Sequence, residues 1–162
     1  MGLPGVRYLL GAMNRSADHE ALVRRVARLD ALPIGRPVLI TITGRKQDGW
    51  ATYSEQPLGR VWLLRRGGES SADDGSAVLA LSATCPHLGC TVGMARDGAA
   101  FECPCHRAAF AFDGRRLSRQ DGTPNHAPRD LDALPVRLVR DEASGTTWVE
   151  VTYVARPTGG NA

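Results

Sequence analysis

The 162-residue chain contains no run of 18 consecutive apolar residues, so its sequence encodes no transmembrane helix. Lysine is almost absent, with Lys46 alone against nineteen arginines, and the formal net charge is only +3. Nucleic-acid binding requires a concentrated basic face, which so small a net charge does not indicate. The chain also lacks internal repeats and low-complexity segments. Its cysteines do not span its length, which excludes a miniprotein stapled together by disulfides.

The residues that are present are typical of one globular domain, with 43% hydrophobic and 23% charged. Short segments rich in β-branched residues, bounded by glycine and proline, predict strands at residues 38–43, 60–65, 77–82, 135–140 and 147–154. Residues 141–145 predict a hairpin turn between the last two strands. The sequence therefore predicts an all-β protein built from antiparallel sheets.

The two ends of the chain are predicted to lie outside the β domain. Residues 1–25 form an N-terminal segment, in which Ser16 caps a short helix over residues 17–25. Residues 26–155 form the domain itself, with a loop-rich region at about 84–130, and residues 156–162 form a flexible tail. Three tryptophans are expected to anchor the core: Trp50, Trp62 and Trp148.

Four cysteines and two histidines fall within residues 85–106. Cys85-x-His87 is followed, after fifteen intervening residues, by Cys103-x-x-His106. Two thiolates and two imidazoles could hold one zinc ion, or a 2Fe–2S cluster with both cysteines on one iron and both histidines on the other. Zinc fingers usually pair cysteine with cysteine and histidine with histidine, whereas each short motif here contributes one of each. This mixed pairing favours the cluster over zinc.

Two motifs carry a family resemblance: CPHLGC at residues 85–90 and CPCH at residues 103–106. They resemble the Rieske iron–sulfur proteins of cytochrome bc-type quinol:cytochrome c oxidoreductase complexes. The extra cysteine pair, Cys90 and Cys105, is the mark of that branch of the family. Further resemblance to its bacterial, menaquinol-type members lies at residues 48–50, 61–63 and 127–132. The resemblance covers about residues 26–155.

The resemblance implies a Rieske fold, in which a loop-rich cluster-binding subdomain is inserted into a base domain of antiparallel sheets. It implies a 2Fe–2S cluster held by four residues: Cys85, His87, Cys103 and His106. A disulfide between Cys90 and Cys105 would staple the two cluster loops together. A proline-containing loop would cover the cluster, and residues 124–128 are its candidate. His126 lies in that loop, although no feature of the sequence marks it as a ligand.

The resemblance also implies a function and its partners. The cluster would take one electron from a quinol, with menaquinol expected, and pass it to a c-type cytochrome. His87 or His106 would be the catalytic group that accepts the quinol's proton. A membrane subunit of the cytochrome b type is the third expected partner, and no nucleic acid is expected. Because a disulfide requires an oxidising compartment, the expected location is the periplasmic side of a bacterial membrane, with any anchor outside this chain.

In this interpretation the chain is the iron–sulfur subunit of an oxidoreductase, and in isolation it is an electron carrier. Two alternatives stay open from the residues alone. The chain could be a Rieske relay subunit of a different oxidoreductase, such as a molybdenum enzyme. It could also be a zinc-binding or disulfide-stabilised interaction module without a redox role.

The chain departs from the family after His106. The usual continuation is Gly-Ser-x-Tyr, whose two hydroxyls donate to the cluster and stabilise its reduced form. Ala108 and Phe110 carry no hydroxyl, so we expect a midpoint potential in the lower part of the Rieske range of roughly −150 to +300 mV. Such a value suits menaquinol, which is a stronger reductant than ubiquinol. The positive charge of Arg107 acts in the opposite direction, and its bulk would change quinol docking unless it turns into solvent.

Overall fold

A computed structural model of the chain describes residues 21–48, 51–67, 76–118, 122–154 and 158–159. Within these ranges lie one 3₁₀ turn, Leu29–Ala31, and ten strands. The strands are β1 (Leu22–Arg28), β2 (Val38–Asp48), β3 (Ala51–Arg65), β4 (Val78–Ser82), β5 (Gly93–Met94), β6 (Phe101–Glu102), β7 (Ala109–Phe110), β8 (Ala133–Leu134), β9 (Val136–Arg140) and β10 (Thr147–Tyr153). Every pairing between these strands is antiparallel, so the predicted all-β class is confirmed.

The strands form three sheets. The base sheet has the order β1-β10-β9, the central sheet β2-β3-β4-β8 and the small sheet β5-β6-β7. All five predicted strands are present, and the predicted hairpin turn between β9 and β10 is closed by a 2.8 Å hydrogen bond from the Asp141 N–H to the Thr146 carbonyl. Gly145 in this turn has φ +67°, a left-handed conformation that costs glycine little.

The central sheet separates two hydrophobic cores, because successive side chains of a strand point to opposite faces. In β3, Val61 and Leu63 face the core shared with the base sheet, whereas Trp62 faces the core shared with the small sheet. In β4, Ala80 faces the core shared with the base sheet and Leu81 faces the core shared with the small sheet. The Trp62 indole N–H donates to the Val92 carbonyl at 3.0 Å, which ties the central sheet to the loop before β5.

The small sheet and its loops are inserted between two neighbouring strands of the central sheet. β4 and β8 pair directly, yet residues 83–132 separate them along the chain. This inserted segment holds all four cysteines, and we call it the cluster subdomain. No helix among the residues described here has the length and apolarity needed to cross a bilayer.

The predicted helix over residues 17–25 is wrong where the structure describes it. Leu22–Arg28 is strand β1, which pairs antiparallel with β10. The predicted domain boundary at residue 26 therefore falls inside a strand. Residues 17–20 and Trp50 lie outside the described residues. Of the other two tryptophans, Trp62 is buried, and Trp148 is partly exposed, with the Arg25 guanidinium 5.4 Å from the centre of its ring.

Gly59 in β3 lies directly under the ring of Tyr153 in β10, so Gly59→Ala should destabilise the fold. A β-carbon at this position would overlap the Tyr153 hydroxyl, which donates to the Leu58 carbonyl at 3.2 Å. We expect a loss of about 1–3 kcal/mol in the free energy of unfolding, as is typical of overpacked cores, measured by urea denaturation. Gly93→Ala is the control, since the nearest atom would be 3.9 Å away, and an equal loss there would contradict the prediction.

Candidate metal centre

Two loops of the cluster subdomain share one backbone pattern. In the first loop, between β4 and β5, the Cys85 N–H donates to the Cys90 carbonyl at 2.8 Å, and the Cys85 carbonyl accepts from Gly89 at 2.9 Å. In the second loop, between β6 and β7, the Cys103 N–H donates to the Ala108 carbonyl at 2.8 Å, and the Cys103 carbonyl accepts from the Arg107 N–H at 2.9 Å. Each motif thus folds into the same tight turn, with its first cysteine at the base.

Gly89 and Arg107 occupy equivalent places in the two turns, and both are left-handed. Their φ angles are +79° and +57°. Glycine adopts this conformation freely, whereas a side chain there costs roughly 1–2 kcal/mol. This explains why the family usually has glycine after its second histidine. The Arg107 guanidinium turns toward Glu102, with Nε 3.9 Å from Oε1, and its side chain is 65% exposed.

The four cysteines divide into a buried pair and a disulfide. Cys85 and Cys103 are free thiols with 1% and 2% of their surface exposed. Cys90 and Cys105 form a disulfide with their Cα atoms 6.6 Å apart, and it joins the two turns. The sulfurs of Cys90, Cys103 and Cys105 lie within 4.8 Å of one another, but the two joined in the disulfide are not available as thiolate ligands.

The buried thiols fit a metal centre better than an empty apolar core. Burial is the main cause that raises the pKa of the Cys85 thiol to about 11, and the neighbouring Cys103 thiol raises it too, while backbone N–H groups of His87 and Leu88 act in the opposite direction. Two adjacent thiolates in such a place need a compensating positive charge. Iron bound by both sulfurs would supply it.

The two histidines of the motifs lie side by side at the outer end of the turns. The ring centres of His87 and His106 are 4.8 Å apart, in an edge-on arrangement. His87 is partly exposed and His106 is exposed, in contrast to the buried thiols. Leu88, between the first motif's histidine and Gly89, is 63% exposed. The thiols therefore lie inside and the imidazoles at the surface. This arrangement suits a cluster of two irons, one bound by two cysteines and the other by two histidines.

The covering loop lies against this site, as predicted for residues 124–128. Asn125 fixes it with its side-chain amide, which donates to the carbonyls of Ala109 and Leu117 at 2.8 and 3.1 Å. The Asn125 side-chain oxygen accepts the Ala127 N–H at 3.1 Å. The Arg116 guanidinium binds the Ala127 carbonyl at 2.9 Å. The loop is therefore held on both sides of His126.

Part of the C-terminal segment also contacts the first cluster turn. The Gly159 N–H donates to the Pro86 carbonyl at 3.0 Å, and a β-carbon on Gly89 would meet Thr158 at 3.5 Å. Residues 158 and 159, within the predicted flexible tail over residues 156–162, thus contact the first turn. Neighbouring residues of that tail lie outside the described ranges.

The comparisons with known proteins agree with this geometry. A family model described as the Rieske [2Fe-2S] domain matches residues 25–132. The chain belongs to the Rieske [2Fe-2S] family. Its cofactor is accordingly a 2Fe–2S cluster, which confirms the prediction and decides against the zinc alternative. The predicted Rieske fold is confirmed as well.

Two curated relatives of this Rieske chain are menaquinol:cytochrome c reductase iron-sulfur subunits. The protein from Bacillus subtilis (strain 168) is 31% identical over 133 residues, covering 80% of this chain and 71% of the relative. The one from Geobacillus thermodenitrificans is 36% identical over 128 residues, covering 73% and 69%. A solved structure, the plasma membrane Rieske protein PetC3 from Synechocystis PCC 6803, is 29% identical over 58% of this chain and 79% of that chain, with a TM-score of 0.38. The predicted resemblance to the menaquinol-type branch is confirmed.

The structure brings together the residues that the sequence motifs singled out, and it adds others that the motifs did not mark. Asn125 and Arg116 position the covering loop, and Thr158 and Gly159 approach the first turn. Asn125 lies within residues 124–128, the predicted covering loop. No motif marked Arg116, and its contact with the Ala127 carbonyl makes it a structural tether of the loop.

Proposed function

We propose that this chain carries single electrons from a quinol, with menaquinol as the natural donor, to a c-type cytochrome within a cytochrome bc-type complex. The observation that carries the proposal is the pair of imidazoles, with ring centres 4.8 Å apart, of which His106 is exposed and His87 partly exposed, beside two buried thiols. The names of the relatives from Bacillus subtilis and Geobacillus thermodenitrificans, both menaquinol:cytochrome c reductase subunits, support the choice of donor and acceptor.

We assign four ligands to the cluster: Cys85 and Cys103 on the inner iron, His87 and His106 on the outer iron. When bound, the cluster supplies reversible one-electron chemistry. Cys85 and Cys103 hold it where water has no access, because both are buried. The Cys90–Cys105 disulfide holds the two turns at a fixed separation.

The two histidines at the surface supply the proton chemistry of the reaction. A neutral quinol does not release an electron at low cost while it keeps its hydroxyl proton. With its other nitrogen bound to iron, the imidazole of His87 or His106 would accept a hydrogen bond from that hydroxyl in its deprotonated form and then take its proton. Leu88 gives the same surface an apolar contact that suits the rest of a quinol or an apolar protein pocket.

The proposal also includes the protein partners of the chain and its cellular compartment. A b-type cytochrome would supply the quinol pocket into which the exposed turns dock, and a c-type cytochrome would be the acceptor. The disulfide supports an oxidising compartment, hence the periplasmic side of a bacterial membrane. In the complex the chain is the iron–sulfur subunit, and on its own it is an electron carrier.

Two measurements test the proposed function. The purified complex should reduce a c-type cytochrome with menaquinol, and co-purification with a molybdopterin subunit instead of a b-type cytochrome would contradict the proposal.

A redox titration should give a midpoint potential in the lower part of the range of roughly −150 to +300 mV, because the buried Ala108 and Phe110 offer no hydroxyl donors. Phe110→Tyr should raise that potential, and a wild-type value near the top of the range would contradict the expectation.

A further inference from the structure

Three imidazoles, not two, meet at the exposed end of the cluster subdomain. The ring centre of His126 lies 6.0 Å from that of His87, nearly parallel to it, and 6.4 Å from that of His106. His126 comes from the covering loop, so an element distant in sequence brings it to the two turns. A molecule that touches the exposed edges of His87 and His106 therefore meets His126 as well.

The His126 ring is exposed, yet its backbone is fixed. Asn125 before it makes three hydrogen bonds, and Ala127 after it is buried, with its N–H held by Asn125 and its carbonyl held by Arg116. Within the described part of the chain, the ring itself makes no hydrogen bond. Its position is thus set in advance, while its ring nitrogens stay available to an incoming molecule.

We propose that His126 is a donor-binding residue, which contacts the electron donor at the same time as the histidine that receives its proton and thereby determines donor affinity. The chemical class that fits is a flat hydroxylated ring, as in a quinol. Its face can lie along imidazole rings, and its hydroxyl can pair with a ring nitrogen. This inference rests on the proposed function.

Two substitutions in the intact complex test the inference. His126→Phe keeps a flat ring but removes the hydrogen bond, so the KM for menaquinol and the Kd of an unreactive menaquinone analogue should rise about tenfold, with kcat nearly unchanged. His126→Gln keeps a hydrogen-bonding group and should restore most of the affinity. The midpoint potential of the cluster should be the same in both variants and in the wild type. Glu142→Gln, in the turn between β9 and β10, serves as the surface control.

The possible results separate the inference from the proposed function. An unchanged KM and Kd in His126→Phe would overturn the inference, while menaquinol oxidation by the wild-type complex would leave the function standing. A shifted potential with unchanged donor affinity would also overturn it, since His126 would then act through the cluster. A wild-type complex inert toward menaquinol would overturn the proposed function, and the inference with it.

Discussion

Cys103→Ser should yield a folded chain that binds no cluster. Cys103 is 2% exposed and lies beside the Cys85 thiol, so its sulfur is one of two that can face the inner iron. A serine hydroxyl is a harder and far less acidic group, and it does not replace a thiolate on an iron–sulfur centre. We expect iron content to fall from about two atoms per chain to near zero, with loss of the visible absorption and of the reduced protein's paramagnetic resonance signal.

Val92→Thr is the matched control for this substitution. Val92 is fully buried in the same core and has nearly the volume of threonine, so the variant adds a hydroxyl without removing a thiol. It should lose some stability but keep the cluster. Circular dichroism of both variants checks that the sheets form. Full iron content in Cys103→Ser would contradict the ligand assignment.

The cluster motifs could be predicted from the sequence because each cysteine and histidine pair lies within one short segment. Cys85 and His87 stand two residues apart, and Cys103 and His106 three, so one tight turn presents each pair. Strand β10 was accessible for a similar reason, since Val149, Val151 and Tyr153 alternate with more exposed residues along a single strand. Patterns that one segment contains in full need no knowledge of the rest of the fold.

Features that depend on distant partners were not accessible in this way. Leu22, Val26 and Leu29 are spaced as on a helix, but pairing with β10 makes Leu22–Arg28 a strand, so tertiary contacts override the local pattern. Strands of two residues, such as β5, β6 and β7, are too short to show any period. The meeting of His126 with the motif histidines depends on hydrogen bonds from Asn125 to carbonyls 16 and 8 residues away.

Removing the disulfide should weaken the cluster site without removing a ligand. Cys90 and Cys105 close a loop with a sequence separation of 15, for which the chain-entropy account gives about 3 kcal/mol. We therefore expect the double variant Cys90→Ala/Cys105→Ala to unfold at a lower temperature and to lose its visible absorption faster on warming. Replacing both cysteines avoids leaving an unpaired thiol near Cys103, whose sulfur lies within 4.8 Å of theirs.

Chemical reduction offers a second route to the same state. Cys105 is exposed, so a mild thiol reductant can reach the bond in the folded protein. Reduction of the wild type should speed cluster loss to the rate of the double variant, whereas the double variant should not respond, which separates disulfide cleavage from direct attack on the cluster. Equal cluster lifetimes in wild type and double variant would contradict a stapling role. The two turns would then be held by their own backbone hydrogen bonds and by the covering loop that Asn125 and Arg116 fix in place.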